Sequence, residues 1–156
     1  MKQPVLRPYQ PPRRYIPKHV KHEENLQRQV CTYLRMQYPH VIFRSDYGSG
    51  LLLTQNQARN QASMQSGRGF PDLFIYNSQR GYHGLALELK REGVTLYLKT
   101  GPRKGKLTGD LHIQEQAAML QALNNAGYFG RFAVGFDSAQ KIIDWYMGKP
   151  ANASLF

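Results

Sequence analysis

The sequence predicts a single α/β domain, a mixed β-sheet flanked by helices. Three observations lead there. The chain has 156 residues, about one domain's length, and 41% of them are hydrophobic, enough for a core. Segments with helical spacing of apolar residues alternate with short apolar runs, and breaker clusters rich in Gly and Pro separate them. No internal repeat and no second domain is visible, so the plan is a basic arm at residues 1–19, a folded domain at 20–149 and a short tail at 150–156.

The elements follow in order. Residues 1–18 hold Pro4, Pro8, Pro11, Pro12 and Pro17, with Lys2, Arg7, Arg13, Arg14 and Lys18 and no acid, which describes an extended basic arm. A helix over 20–37 is predicted by Leu26, Val30 and Leu34, with Glu23 and Glu24 near its positive end and Tyr38-Pro39 stopping it. Val41 to Arg44 reads as a short strand running into turn residues 46–50. Residues 55–66 are Gln/Asn-rich and fit a polar helix or a loop. After the breakers Gly67 to Pro71, a strand is predicted over 72–76 and another over 85–90, joined as a hairpin through the turn at 81–84. Residues 99–106 form a basic, breaker-rich loop. A helix at 111–126 ends at Gly127, a strand is expected at 131–136, and a last helix begins at Asp137 with Gln140 at capping-box spacing.

Charge narrows the function. The chain carries 21 Lys+Arg against 10 Asp+Glu, a net charge of +11, which argues for a polyanionic partner, nucleic acid before an anionic membrane. No apolar run approaches the roughly 18 residues of a membrane span, and the first fifteen residues lack a secretory signal's apolar stretch, so a cytoplasmic protein is expected. The single cysteine, Cys31, excludes an internal disulfide framework and a Cys-based zinc site, and reads as a small core thiol.

The acids are few enough to take singly. Asp137 is expected to cap the last helix and Asp110 the one before it. Asp144 and Glu115 are expected on exposed helix faces, and Glu92 follows a strand. Asp72 and Glu88 differ, because each is embedded in apolar strand residues, where an unpaired carboxylate costs several kcal/mol unless cations or hydrogen bonds compensate it. Residues two apart on a strand share a face, about 6.6 Å apart, so Lys90 lies on the face of Glu88. Asp72, Glu88 and Lys90 can therefore converge at one end of the hairpin. Two carboxylates suit a hard divalent cation, and an ammonium beside them stabilises charge developing on phosphorus.

Gly69-Phe70-Pro71-Asp72 followed by Glu88-Leu89-Lys90 resembles the PD-(D/E)xK nuclease signature, and more narrowly the VRR-NUC family of virus-type replication and repair nucleases. The resemblance spans about residues 21–147. It implies a restriction-endonuclease-like fold and a DNA endonuclease dependent on Mg²⁺ or Mn²⁺, similar in short phage-type forms to homodimeric Holliday-junction resolvases. The metal would be held by Asp72, Glu88 and the Leu89 backbone carbonyl, with Glu23 completing the shell directly or through water. The family places a glutamate on the first helix, where Glu23 and Glu24 compete; Glu23 lies on the apolar face with Leu26 and Val30 and is favoured. It also carries a glutamine after the Glu-x-Lys strand, where Gln114 and Gln116 compete; Gln116 lies on the stripe of Ile113, Leu120 and Leu123. Lys90 would position or activate the attacking water and Gln116 would orient it.

Contacts to DNA phosphates are expected from Lys99, Arg103, Lys104 and Lys106 and from Arg13 and Arg14 of the arm, giving affinity without base specificity. Branched or flapped DNA suits such a shape reader. The competing reading is a noncatalytic nucleic-acid-binding module in which Asp72, Glu88 and Lys90 are a structural ion-pair cluster. The histidines are expected to be surface or loop residues, and no phosphate-loop or nucleophile triad pattern is present.

Overall fold

The computed structural model describes residues 18–46 and 54–149, with side chains from residue 22 onward. Arg13, Arg14 and the 150–156 tail lie outside the described residues. The elements run α1 (Lys18–Gln37), β1 (Phe43–Ser45), α2 (Gln55–Ser63), β2 (Leu73–Ile75), β3 (Leu85–Lys90), α3 (Leu111–Asn125), β4 (Phe129–Val134) and α4 (Gly135–Tyr146).

Among the described residues the four strands form one mixed sheet in the order β1-β2-β3-β4. The β1–β2 and β2–β3 pairs are antiparallel, whereas β3 and β4 are parallel, Leu85 opposite Phe129 and Lys90 opposite Val134. A parallel neighbour requires a crossover, and α3 supplies it. Alternation along β3 separates two faces. Leu85, Leu87 and Leu89 join Leu73, Ile75 and Ala133 in the main core, which α1 closes with Leu26, Val30 and Leu34 and α4 with Ala139, Ile143 and Tyr146. Ala86, Glu88 and Lys90 point the other way, toward α3. Helices on both sides explain why all six residues of β3 are buried. Asn124 fastens α3 to the outer edge of β4, accepting from Gly130 N at 2.8 Å and donating to Gly130 O at 3.2 Å.

Several boundaries depart from the sequence expectation. β4 begins at Phe129, which stands opposite Leu85, and ends before Gly135, whose φ of +78° breaks the strand and starts α4. Phe136 and Asp137 are therefore helical, Val134 is the N-cap without a side-chain cap bond, and Asp137 lies in the first turn instead of capping. Asp144 is not on an exposed face: it accepts hydrogen bonds from the Tyr33 and Tyr38 hydroxyls at 2.5 and 2.7 Å. β1 is shifted to 43–45, and β2 is trimmed to three residues, leaving Asp72 at its entrance. Residues 55–63 are helical, held by a Thr54–Gln57 capping box, and α2 buries none of its residues. Asp110 caps α3 as expected, accepting from His112 N and Ile113 N.

Candidate active site

The β2–β3 hairpin brings the two strand carboxylates together. Leu73 stands opposite Leu87, so Asp72, one residue before β2, lies beside Glu88 and Leu89. Asp72 is fixed on three sides. Its Oδ2 accepts from Leu89 N at 2.9 Å, its Oδ1 from Gln27 Nε2 at 3.1 Å, and its carbonyl from Asp46 N at 2.8 Å and Ser45 Oγ at 3.1 Å. Because a strand residue's N–H and C=O project to the same edge, the Leu89 carbonyl is directed to the side of Asp72 too.

Glu88, Lys90 and Gln116 form the buried part. Glu88 is 1% exposed, and its Oε1 accepts from Lys90 Nζ at 2.9 Å and from Gln116 Nε2. Gln116 is placed by α3, whose backbone at Glu115–Gln116 packs against Gly69. A β-carbon at position 69 would lie 2.8 Å from Gln116 N, and φ there is +75°, so the turn before Asp72 requires glycine twice over. Among the described residues two buried side-chain atoms have no hydrogen-bond partner, Glu88 Oε2 and Gln116 Oε1. Buried polar atoms are rarely left so, and an orphan of this kind calls for a ligand or a strain argument.

Electrostatics agree with the geometry. Burial, then the charge of Asp72, pushes the Glu88 carboxyl up to about 8, and Lys90 only partly offsets this. The Asp72 carboxyl is also raised, by burial first; the Leu89 N–H and Lys90 oppose the rise and the charge of Glu23 adds to it. The two carboxyls act on each other electrostatically and titrate as a pair. When both are ionised, one ammonium does not neutralise them. The donor set of two carboxylates, one of them with an orphaned oxygen, and a backbone carbonyl fits a hard divalent cation such as Mg²⁺, which takes one or two protein carboxylates and fills its shell with water and phosphate oxygens. Among the described residues no three His, Cys, Asp or Glu side chains come together to hold a metal ion. Glu23 therefore stands outside a direct shell with Asp72 and Glu88, although its charge reaches Asp72.

The structure places the competing residues differently. Glu24 pairs with Arg28 at 2.8 Å, while the charge of Glu23 reaches Asp72. Gln114 is exposed and donates to Thr108 O, while Gln116 is buried against Glu88. Lys99, Arg103, Lys104 and Lys106 are all exposed. They sit on an ordered loop pinned by the Tyr97–Leu107 bridge and by Leu98 N to Lys106 O at 2.9 Å, inserted between the end of β3 and Asp110. Three neighbours of the site were not anticipated. Gln27 is one helical turn after Glu23 and flanks the Leu26, Val30, Leu34 stripe, so the pattern that favoured Glu23 also pointed to it. His112, expected to be isolated, faces the Gln116 amide at 3.1 Å from the preceding turn of α3. Ser45 carried no sequence signal.

No family model matches the chain, and no curated protein matches it. Among solved structures, one described as a VRR_NUC domain protein is similar over 82% of this chain and 89% of its own, with a TM-score of 0.56 and 20% sequence identity. The chain shares its fold, a mixed sheet flanked by helices, with that protein. At this identity the likeness is one of fold, and the site must be argued from its own residues. Among the described residues no helix is long and apolar enough to cross a membrane.

Proposed function

We propose that the protein is a divalent-metal-dependent DNA endonuclease that recognises DNA structure more than sequence. The observation that carries this reading is the pair of orphaned buried atoms, Glu88 Oε2 and Gln116 Oε1, set beside two carboxyls that share too little positive charge. A structural ion-pair cluster would have closed those valences internally. The VRR_NUC fold likeness and the net charge of +11 support the same reading.

Asp72, Glu88 and the Leu89 carbonyl would hold Mg²⁺ or Mn²⁺, which supplies Lewis-acid polarisation of the phosphate and a more acidic water. The chain's own residues do the rest. Gln27 and Leu89 N fix the Asp72 carboxylate so that it is preorganised for the cation. Lys90 lies within the bonding range of Glu88 and places a fixed positive charge where phosphorus-bound oxygens become more negative. Gln116, anchored through its Nε2, offers its free Oε1 to orient the attacking water. Water adds in line to phosphorus and one ester P–O bond breaks. Glu23 orders water at the edge of the site through its charge. The exposed cations of the 99–106 loop, with Arg13 and Arg14 of the arm, bind phosphates along the substrate. In keeping with phage-type resolvases, the active form is a homodimer acting in replication, recombination or repair.

The test uses labelled four-way, flap and linear DNA with Mg²⁺, Mn²⁺ or EDTA. Metal-dependent cutting that is strongest on branched DNA is expected. Salt-sensitive binding without cuts in any metal would identify a noncatalytic binding module instead. Light scattering at micromolar protein reads the dimer, and a monomer there removes that part.

A further inference from the structure

A cavity of about 390 Å³ opens on the opposite side of the sheet end from Lys90, between the N-terminal half of α1, the end of β3 and the start of α4. Its size falls in the range of small-ligand sites, roughly 300–1,000 Å³. Its lining is displaced by one residue from the proposed active site at three places. His22 adjoins Glu23, Leu26 adjoins Gln27, and Arg91 adjoins Lys90. Lys90, the last residue of β3, turns to the carboxylates, while Arg91, the next residue, lines the cavity. A strand of DNA crossing the end of β3 would thus meet the reacting centre on one side and the cavity on the other.

The wall chemistry is that of a base pocket. Leu26 and the half-buried Phe136 give an apolar surface, and Phe136 is braced edge-on by Tyr33 with ring centroids 5.8 Å apart. Asn25 and Gln29, one turn apart on α1, present amides that both donate and accept. Glu92 adds an acceptor and Arg91 a cation. Glu92 can lie against the start of α4 because position 135 is glycine; a β-carbon there would come within 2.8 Å of Glu92 Cγ. Flipped bases are read by this combination, with an apolar or aromatic wall and polar groups at the hydrogen-bonding edge.

We propose that this cavity takes one unpaired nucleobase of the strand being cut, next to the scissile phosphate, and so selects DNA that has an unstacked nucleotide at that point. This rests on the nuclease reading and names the substrate feature it recognises. A base held in a stacked, paired duplex cannot present its face and edge to such a cavity, so a fully paired linear duplex must first be disrupted, whereas a flap or junction already offers the base.

The experiment is fluorescence anisotropy in EDTA with the full chain and two labelled flap oligonucleotides, one bearing a base and one abasic at the first unpaired position. Stacking a base is worth about 1–3 kcal/mol, so the abasic flap should bind about tenfold more weakly. Gln29→Trp, which fills the cavity from an exposed helical position, should bring the two Kd values together. If that variant fails to fold, Asn25→Trp fills the same space from one turn earlier. Equal binding of the two flaps by the native protein, no binding of either, or discrimination that survives a folded filled variant would each overturn the proposal. Because binding is read without metal, a protein that discriminates but never cuts keeps the pocket and loses the nuclease reading. A protein that cuts yet binds both flaps equally does the reverse.

Discussion

Two carboxylates in this molecule are drawn in from solvent in opposite ways. Asp144 on α4 is met by donors: the Tyr33 and Tyr38 hydroxyls at 2.5 and 2.7 Å, with Lys149 Nζ at 3.5 Å. Burial, then the bond to Asp144, pushes the Tyr38 hydroxyl up, so it stays a donor throughout the working pH range. This cluster ties the end of α1 to α4; all three donors reach Oδ1, and the side chain is 24% exposed, so water can complete the other oxygen. Glu88 is met by two donors on one oxygen, none on the other, and a second carboxyl alongside. A carboxylate whose spare oxygen reaches water serves the fold; one whose spare oxygen is buried beside a second carboxyl leaves room for a substrate or ion. What distinguishes the working carboxylate from the structural one is burial of its spare oxygen, with the side chain 2% exposed at Glu88 against 24% at Asp144.

The comparison can be broken most sharply by cutting assays. Lys90→Ala and Gln116→Ala should each lower the cleavage rate by about 10²–10³-fold, the usual cost of removing one preorganised charge or donor, while circular dichroism and salt-dependent DNA binding persist. Full activity in either variant would put Glu88's cluster in the same class as Asp144's. The reciprocal change, Asp144→Ala, should cost about 1–3 kcal/mol in urea unfolding because two hydroxyls lose their acceptor, and leave the cleavage rate per folded molecule unaltered. A third measurement uses pH. The Glu88 carboxyl is raised, so the folded chain holds a proton that the unfolded chain releases. Metal-free stability from this group is therefore fully present below its ordinary 4.5 and lost as pH climbs toward about 8. Glu88→Gln should flatten that slope in urea titrations, and Mg²⁺ affinity of the native protein should rise over the same interval as the proton is displaced. The smallest effect belongs to the loop. Single alanine substitutions at Lys99, Arg103, Lys104 or Lys106 should each reduce the salt slope of duplex binding by about 0.9 and change no pH dependence.

What the sequence made legible follows from how locally each feature is determined. β3 is read to the residue because its six positions are uniformly apolar apart from Glu88 and Lys90, and the hairpin follows from the breakers between two such runs. β4 is misplaced by two residues because Phe136 continues an apolar run that Gly135 in fact ends, and periodicity cannot see a change of backbone handedness. Asp144 looks exposed in sequence because its partners, Tyr33 and Tyr38, lie more than a hundred residues away. At the candidate site the same rule holds. Asp72, Glu88 and Lys90 stand out because charges in apolar strands are costly, and Gln116 because an amide lies on an apolar stripe. Gln27 and His112 were within reach of the helical counting used for Glu23 and Gln116. Ser45 was not, since a serine at a strand end has too many ordinary reasons to be there.

The position of α3 in the chain has a consequence for biosynthesis. The hairpin that carries Asp72 and Glu88 is complete at residue 90, and the helix that buries Glu88 through Gln116 is made later. On the growing chain both carboxylates face water and ionise with little mutual cost. Desolvation arrives only when α3 docks over β3, and at neutral pH that docking takes up a proton unless a divalent ion is already on the hairpin. Docking of α3 is thus the step at which proton or metal uptake is coupled to burial of the site, and free divalent metal in the folding medium should speed that step in refolding experiments begun at pH above about 8.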